Sequence, residues 1–302
     1  MQRRMLLAAA TATLLALPAT AQSWKQAYPE LVLAIVPSEN ASGVTERMGP
    51  FVAYLARELG VKVTLRIATD YAAVIEGQKS GNIHIAGYGP SSYVRAWTVT
   101  NGGVEPFNTS INADGSVGYY AVGYARSGDS GTTLEDFRNR NLCLVDPNST
   151  SGNNVPRFAM IKRNIEPEKF FAKVVYAGSH ENAVTALLQG TCDIAFNWWN
   201  SETDSNLMRM ANKNIVKATD VKMVFRSDLI MGSPNAYLAS MPADLKAAIA
   251  RAYAEAPQKD KAAYDRLSDG QDLGFKPVTH QDYEPIVELQ KFVDGLRRRR
   301  AS

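Results

Sequence analysis

Cysteine and histidine are scarce in this chain: its 302 residues include two of the first and three of the second. His84, His180 and His280 stand roughly a hundred residues apart, so the short Cys and His spacings that hold zinc are missing and no metal site is expected. Four catalytic signatures are missing as well: the Gly-x-Ser-x-Gly elbow, the Gly-x-x-x-x-Gly-Lys-Ser/Thr phosphate loop, His-Glu-x-x-His and Cys-x-x-Cys. Each sets a nucleophile, a phosphate cradle, a metal or a redox pair at fixed spacing, so their absence argues against the commonest enzyme classes and implies no cofactor. Ser149 and His180 could imitate a nucleophile and its base. The one acid nearby, Glu181, is adjacent to His180 in sequence, and neighbours at that spacing point apart on a helix. An enzyme is not the expected reading.

Long apolar runs are also few. Arg3 and Arg4 precede an Ala- and Leu-rich run, Met5 to Leu17, and Ala19-Thr20-Ala21 supplies a small-residue cleavage pattern. This is the layout of a secretory leader, and the run is short for a bilayer span. The expected leader is 1–21, with the mature chain beginning near Gln22 and no Cys at the cleavage site to carry a lipid. A soluble periplasmic protein follows, exported by Sec as the default, with the paired arginines leaving twin-arginine export open.

A basic face is lacking too. The formal charge of +3 includes six terminal arginines, Arg3, Arg4 and Arg297 to Arg300; without them 27 basic residues face 30 acidic ones, a body of −3. The basic excess is a tail, read as solvated and frayed, and gives no surface for nucleic acid. What is present is the composition of a soluble globular protein, 45% hydrophobic and 21% charged, long enough for one large or two medium domains. Cys143 and Cys192 lie in or beside expected strands, Asn141 to Val145 and Cys192 to Asn197. Export permits a bridge if those strands are neighbours; two buried thiols acting as small hydrophobes are the other reading, and both stay open.

Strand and helix patterns alternate as in an α/β protein. Strands are expected at Leu31 to Val36, Val61 to Ile67 and Ile83 to Tyr88, with an amphipathic helix over Gly49 to Leu59 and another over Tyr71 to Ser80. A polar passage, Asn101 to Asp114, follows, and the strand from Gly118 to Ala125 leaves this lobe. A second set comprises Asn141 to Val145, the helix after Ser151, Ala172 to Tyr176, the helix Glu181 to Leu188, and Cys192 to Asn197. C-terminal helices, Ala243 to Ala256 and Tyr283 to Leu296, return to the first lobe. Two such lobes imply a cleft between them, with ligand groups at strand carboxyl ends.

One segment stands out at such a strand end: Asp146-Pro147-Asn148-Ser149-Thr150-Ser151-Gly152 joins the apolar run Leu142 to Val145 to a helix. A helix start has unpaired N–H groups and the positive end of the macrodipole, so three hydroxyls there suit a small oxyanion such as phosphate or phosphonate. No Lys or Arg lies in the segment, which makes this a neutral-donor site; a plain N-cap is the alternative. Tyr71, Tyr88, Ser179-His180 and Asn197-Trp198-Trp199-Asn200 fall at the other strand ends and can face the same cleft.

These residues resemble the phosphonate/phosphite/phosphate substrate-binding proteins of ABC importers, from about Leu31 to Tyr237. Four segments in order carry the likeness: Asp70-Tyr71-Ala72, Ala113 to Tyr119, Asp146 to Gly152, and Ala177-Gly178-Ser179-His180-Glu181. The resemblance implies the type II periplasmic binding fold, two α/β lobes joined by two crossing strands, with 22–120 plus 233–302 in lobe 1 and 121–232 in lobe 2. It implies that Tyr71, Tyr119, Ser149, Thr150, Ser151 and His180 hold the phosphonate oxygens, His180 through an imidazole N–H. The implied partner is an ABC permease, met at the inner membrane only peripherally; a sensor signalling to a histidine kinase, or a binder of another oxyanion, are the alternatives. Family members that bind aminoethylphosphonate are expected to hold its ammonium with two carboxylates, at positions occupied here by Asn200 and Ser233. An ammonium leaves water at high cost without a carboxylate, so phosphite, methylphosphonate or another small phosphonate is expected and aminoethylphosphonate disfavoured. Tyr88, Trp198 and Trp199 complete the expected tail wall, the tryptophans able to face an apolar or quaternary-ammonium group, while Asn153 and Asn154 could add donors.

Overall fold

Two sheets organise residues 23–301, the part of the chain that the computed structural model describes; the expected leader lies outside it. The chain runs α1 (Ser23–Ala27), β1 (Glu30–Ile35), α2 (Ala41–Leu59), β2 (Lys62–Arg66), α3 (Tyr71–Lys79), β3 (Ile85–Gly87), α4 (Pro90–Val99) and β4 (Val104–Asn112). Next come β5 (Tyr120–Arg126), β6 (Asn141–Leu144), α5 (Val155–Lys162), α6 (Pro167–Phe170), β7 (Lys173–Tyr176), α7 (His180–Leu188), β8 (Ile194–Trp199), α8 (Asn206–Asn212) and β9 (Val221–Arg226). The last elements are β10 (Pro234–Leu238), α9 (Ala243–Lys259), α10 (Lys261–Ser268), β11 (Asp272–Pro277) and α11 (Glu284–Ala301).

The first sheet has the order β11-β4-β10-β3-β1-β2 and the second β7-β6-β8-β5-β9. In each, the βαβ units pair in parallel, β1 with β2 and β3, β6 with β7 and β8, while β10 and β5, next to the crossings, pair antiparallel with β3 and β8. A strand covered on both faces reads as a continuous apolar run. β1 does so because Leu31 and Leu33 meet α2 and α9 on one face while Val32 and Ala34 meet the α3 and α4 side. The result is a two-lobed α/β fold of the type II periplasmic binding class.

Local chemistry explains where the elements depart from expectation. α2 begins at Ala41, eight residues before the expected start at Gly49. Gly49-Pro50 reads as a helix opening, but Pro50 forfeits one N–H inside a helix that Asn40 already caps by accepting from Gly43 N–H, and buried Val44 and Met48 hold its first turns. The polar passage from Asn101 contains β4: buried Asn108 accepts at Oδ1 from Asn235 Nδ2 at 2.8 Å, and buried Thr109 donates to the Ser233 carbonyl at 3.0 Å, so polarity did not keep them at the surface. The four C-terminal arginines are not a frayed tail in the backbone sense, since α11 continues through them to Ala301.

The two crossings pair with each other. Tyr119 N–H donates to the Ile230 carbonyl at 3.1 Å and Ile230 N–H returns to Tyr119 at 2.8 Å, one antiparallel bridge between the sheets. Gly118, just before it, has φ +138, and a Cβ there would stand 2.5 Å from the Ile230 carbonyl oxygen. Only glycine lets the two chains approach so closely. Cys143 on β6 and Cys192 before β8 are joined as a disulfide, their Cα atoms 5.7 Å apart.

Candidate functional site

The turn after β6 is set by a proline. Pro156 has no N–H to give the Gly152 carbonyl, so an α-helical bond is impossible there; that carbonyl instead accepts from Val145 N–H at 2.9 Å. Thr150–Asn154 therefore wind as a π turn before α5, with Ser149 as the cap, its Oγ accepting from Gly152 N–H at 3.1 Å. A Cβ on Gly152 would meet Val145 at 2.4 Å, so the residue is glycine by contact. Wide turns of this kind gather at functional sites. Here the turn carries Ser149, Thr150 and Ser151, all nearly fully buried, to the wall of a 280 Å³ cavity between the sheets.

Tyr71 and Tyr119 reach the same cavity from other elements. Tyr71 opens α3 and Tyr119 sits at the crossing, and both share the cavity lining with Ser149, Thr150, Ser151 and Ser233. Burial raises both phenols, Tyr119 to about 12, so each remains a neutral donor at pH 7. One bond ties the lobes here: Thr150 Oγ1 accepts from Ser91 N–H at 2.8 Å. Ser91, at the start of α4, has its own Oγ buried without a hydrogen-bond partner.

His180 begins α7, after Ser179, which caps that helix by accepting from Asn182 N–H at 3.1 Å. The imidazole is buried, with Nδ1 3.0 Å from Asn197 Oδ1 and Nε2 3.5 Å from Ser149 Oγ. Burial lowers its pKa to about 4, opposed only by the Asn197 bond. Six residues expected to hold an anion thus line one cavity: Tyr71, Tyr119, Ser149, Thr150, Ser151 and His180.

The tail residues divide. Asn200, Ser233 and Trp198 line the cavity, Trp198 beneath the Arg209 guanidinium at 4.8 Å. Trp199 turns to the opposite face of β8, where it packs on Tyr120, so the expected pair of tryptophan walls is one. Tyr88 borders the cavity, but its hydroxyl is buried against Gln78 Oε1 at 3.1 Å and is not offered to a ligand. Asn153 and Asn154 add no donors to the cleft, since their amides serve Pro147 and Gln290.

Two carboxylates that sequence reading missed line the same cavity: Asp204 and Asp272. Asn200 Nδ2 donates to Asp204 Oδ2 at 2.5 Å, while Asp204 Oδ1 has no hydrogen bond and its closest cation, Arg209 Nη2, is 3.9 Å away. Burial raises both acids, Asp272 to about 6. The arginines that share this end are already paired, Arg47 with Glu39 at 2.7 Å and Arg209 with Asp269 at 2.9 Å. A neutral Asn200 and Ser233 therefore do not leave the tail end without negative charge. Both carboxylates come from a loop and an edge strand that no strand-end motif marks.

Two α/β lobes joined by paired crossings around a polar cavity make the architecture of a solute-binding protein. Residues 33–283 match the ABC transporter phosphonate periplasmic substrate-binding proteins, and the chain belongs to that family. It is 31% identical over 282 residues to the phosphonates-binding periplasmic protein of Escherichia coli (strain K12), covering 91% of this chain and 79% of that protein. To the phosphate-import protein PhnD of Mycolicibacterium smegmatis it is 29% identical over 278 residues, 86% of this chain and 85% of the relative. The fold matches the binding protein component of an ABC phosphonate transporter from Pseudomonas aeruginosa with a TM-score of 0.78 and 26% identity, over 87% and 86% of the two chains. PhnD1 of Prochlorococcus marinus, solved with methylphosphonate, shares the fold at a TM-score of 0.74 and 16% identity, over 88% of this chain and 98% of that one. The relatives are binding proteins of ABC transporters, not enzymes. Among the described residues no helix is long and apolar enough to cross a membrane.

Proposed function

We propose that this chain is the periplasmic receptor of an ABC importer, delivering a phosphonate or related phosphorus oxyanion to a membrane permease. One observation carries the reading: three hydroxyls at the Ser149 turn, two tyrosines and His180 converge on one cavity wall without a cation among them. A tetrahedral anion leaves water only where several donors replace its hydration, and hydroxyls with helix-start N–H groups supply them. The relatives' cargoes, phosphate in one name and phosphonates in others, share that head group.

Phosphite and methylphosphonate fit the head cradle alone. Aminoethylphosphonate returns as a candidate, with Asp204 and Asp272 available to its ammonium. Calorimetry or thermal shift with phosphite, methylphosphonate, aminoethylphosphonate, phosphate and sulfate tests the set. A true ligand at a hundredfold its Kd stabilises by about 2.7 kcal/mol, and Ser149→Ala weakens its binding by about 1.5–3 kcal/mol. Silence across the panel, or unchanged binding by Ser149→Ala, sinks the reading.

A further inference from the structure

The imidazole of His180 faces the cavity with its acceptor, not its donor. The reason lies in Asn197, whose orientation is fixed twice: its Nδ2 donates to the His180 carbonyl at 3.0 Å, and its Oδ1 accepts from Trp198 N–H at 2.9 Å. A carbonyl only accepts and a backbone N–H only donates, so the amide cannot be flipped. The same Oδ1 lies 3.0 Å from His180 Nδ1, which must therefore carry a hydrogen. In a neutral ring that leaves Nε2 as an acceptor whose partner is the Ser149 hydroxyl at a long 3.5 Å, at the mouth of the anion turn.

The surroundings keep the ring neutral when the site is empty. Titratable groups near it are Tyr71 on α3, Tyr119 at the crossing, Asp146 after β6 and Glu181 on its own helix. Burial holds both phenols protonated. Asp146 is engaged by Asn148 N–H at 2.7 Å, and Glu181 by Asn40 N–H at 2.8 Å. No charge registers on the imidazole, whose lowered pKa follows from burial. A fully ionised phosphonate oxygen placed against Nε2 would set lone pair against lone pair.

We propose that the site holds its phosphorus oxyanion with one extra proton, shared between His180 Nε2 and a ligand oxygen, so that the species recognised is the monoanion R–PO₃H⁻. The proton arrives on the ligand as P–O–H, or is taken from solvent when the dianion binds and becomes imidazolium facing P–O⁻; the two complexes contain the same atoms and net charge. The inference rests on the phosphorus-oxyanion reading above. It makes His180 a reader of the ligand's protonation state, and it rejects sulfate, which carries no proton at neutral pH.

The test is calorimetry of methylphosphonate, phosphite and aminoethylphosphonate binding to the mature protein, one pH unit above each ligand's second ionisation, in buffers of different ionisation enthalpy. Uptake of close to one proton per ligand is expected, with affinity falling about tenfold per pH unit in this range. His180→Gln, whose amide donates without titrating, should bring the uptake close to zero. Wild-type binding with no proton uptake and flat affinity across this range overturns the inference while leaving the phosphorus-oxyanion reading intact. Absence of binding by all three ligands at every pH overturns both.

Discussion

Asn197 shows how much of a site can turn on one side chain that touches no ligand. It decides which nitrogen of His180 faces the cavity, and the same burial that fixes the pair gives the ligand-free protein a pH signature. An ordinary histidine titrates near 6.5, whereas His180 is lowered to about 4. Between these values the unfolded chain binds a proton that the folded one refuses, so His180 makes stability fall as pH drops from about 6.5 to about 4 and leaves it level above. The span corresponds to roughly 3 kcal/mol. Asp272 works in the opposite sense, since its carboxyl is raised to about 6 and the folded state takes up its proton first. The clean measurement is therefore a difference: urea-unfolding free energies of wild type and His180→Gln between pH 4 and 7, without ligand. The gap should shift toward the variant as pH falls. Parallel curves would mean that the imidazole is not buried neutral.

Elements were legible where hydrophobic period and caps agree, and opaque where a buried polar residue or a proline broke the pattern. β1, β6, α7 and α9 follow from apolar runs and cap residues read directly. β4 was hidden because Asn108 and Thr109 look like loop residues until Asn235 and Ser233 bond them across the sheet, and α2 was cut short at Pro50. The anion turn was legible in its hydroxyls and not in its winding, which follows from Pro156 leaving the Gly152 carbonyl to accept from Val145 N–H. Cys143 and Cys192 were individually visible, but their pairing needed the β6–β8 neighbourhood. That bridge closes a chain separation of 49 residues, for which loop entropy predicts about 4 kcal/mol of stabilisation. Reduction, or Cys143→Ser with Cys192→Ser, should lower the unfolding free energy by that order. Two titratable thiols in the denatured, unreduced protein would contradict the bridge.

Closure belongs to the molecule as a whole, and its contacts lie at the cleft rim as much as at the cradle. Glu181, the neighbour of His180 on α7, accepts from Asn40 N–H at 2.8 Å and Asn40 Nδ2 at 3.0 Å, while Asn40 also caps α2 of the opposite lobe. Lys213 after α8 pairs with Glu39 at 3.0 Å, and Arg209 with Asp269. None of these groups needs to touch an anion, yet each exists only with the lobes together. Apparent affinity equals intrinsic affinity scaled by the fraction of protein competent to bind, so a rim bond acts on binding by holding that fraction up. Glu181→Ala removes a carboxylate that accepts two hydrogen bonds across the cleft, a change on the order of 1.4 kcal/mol, and should weaken every ligand by one common factor, at most about tenfold and smaller the more the free protein is closed. A uniform factor is the diagnostic, because a residue that contacts the head or the tail would discriminate among ligands. Small-angle scattering should then find the variant as compact as wild type at saturating ligand and more open without it. If Glu181→Ala changes the order of ligand preference, Glu181 belongs to the recognition surface, and the rim does not act through closure alone.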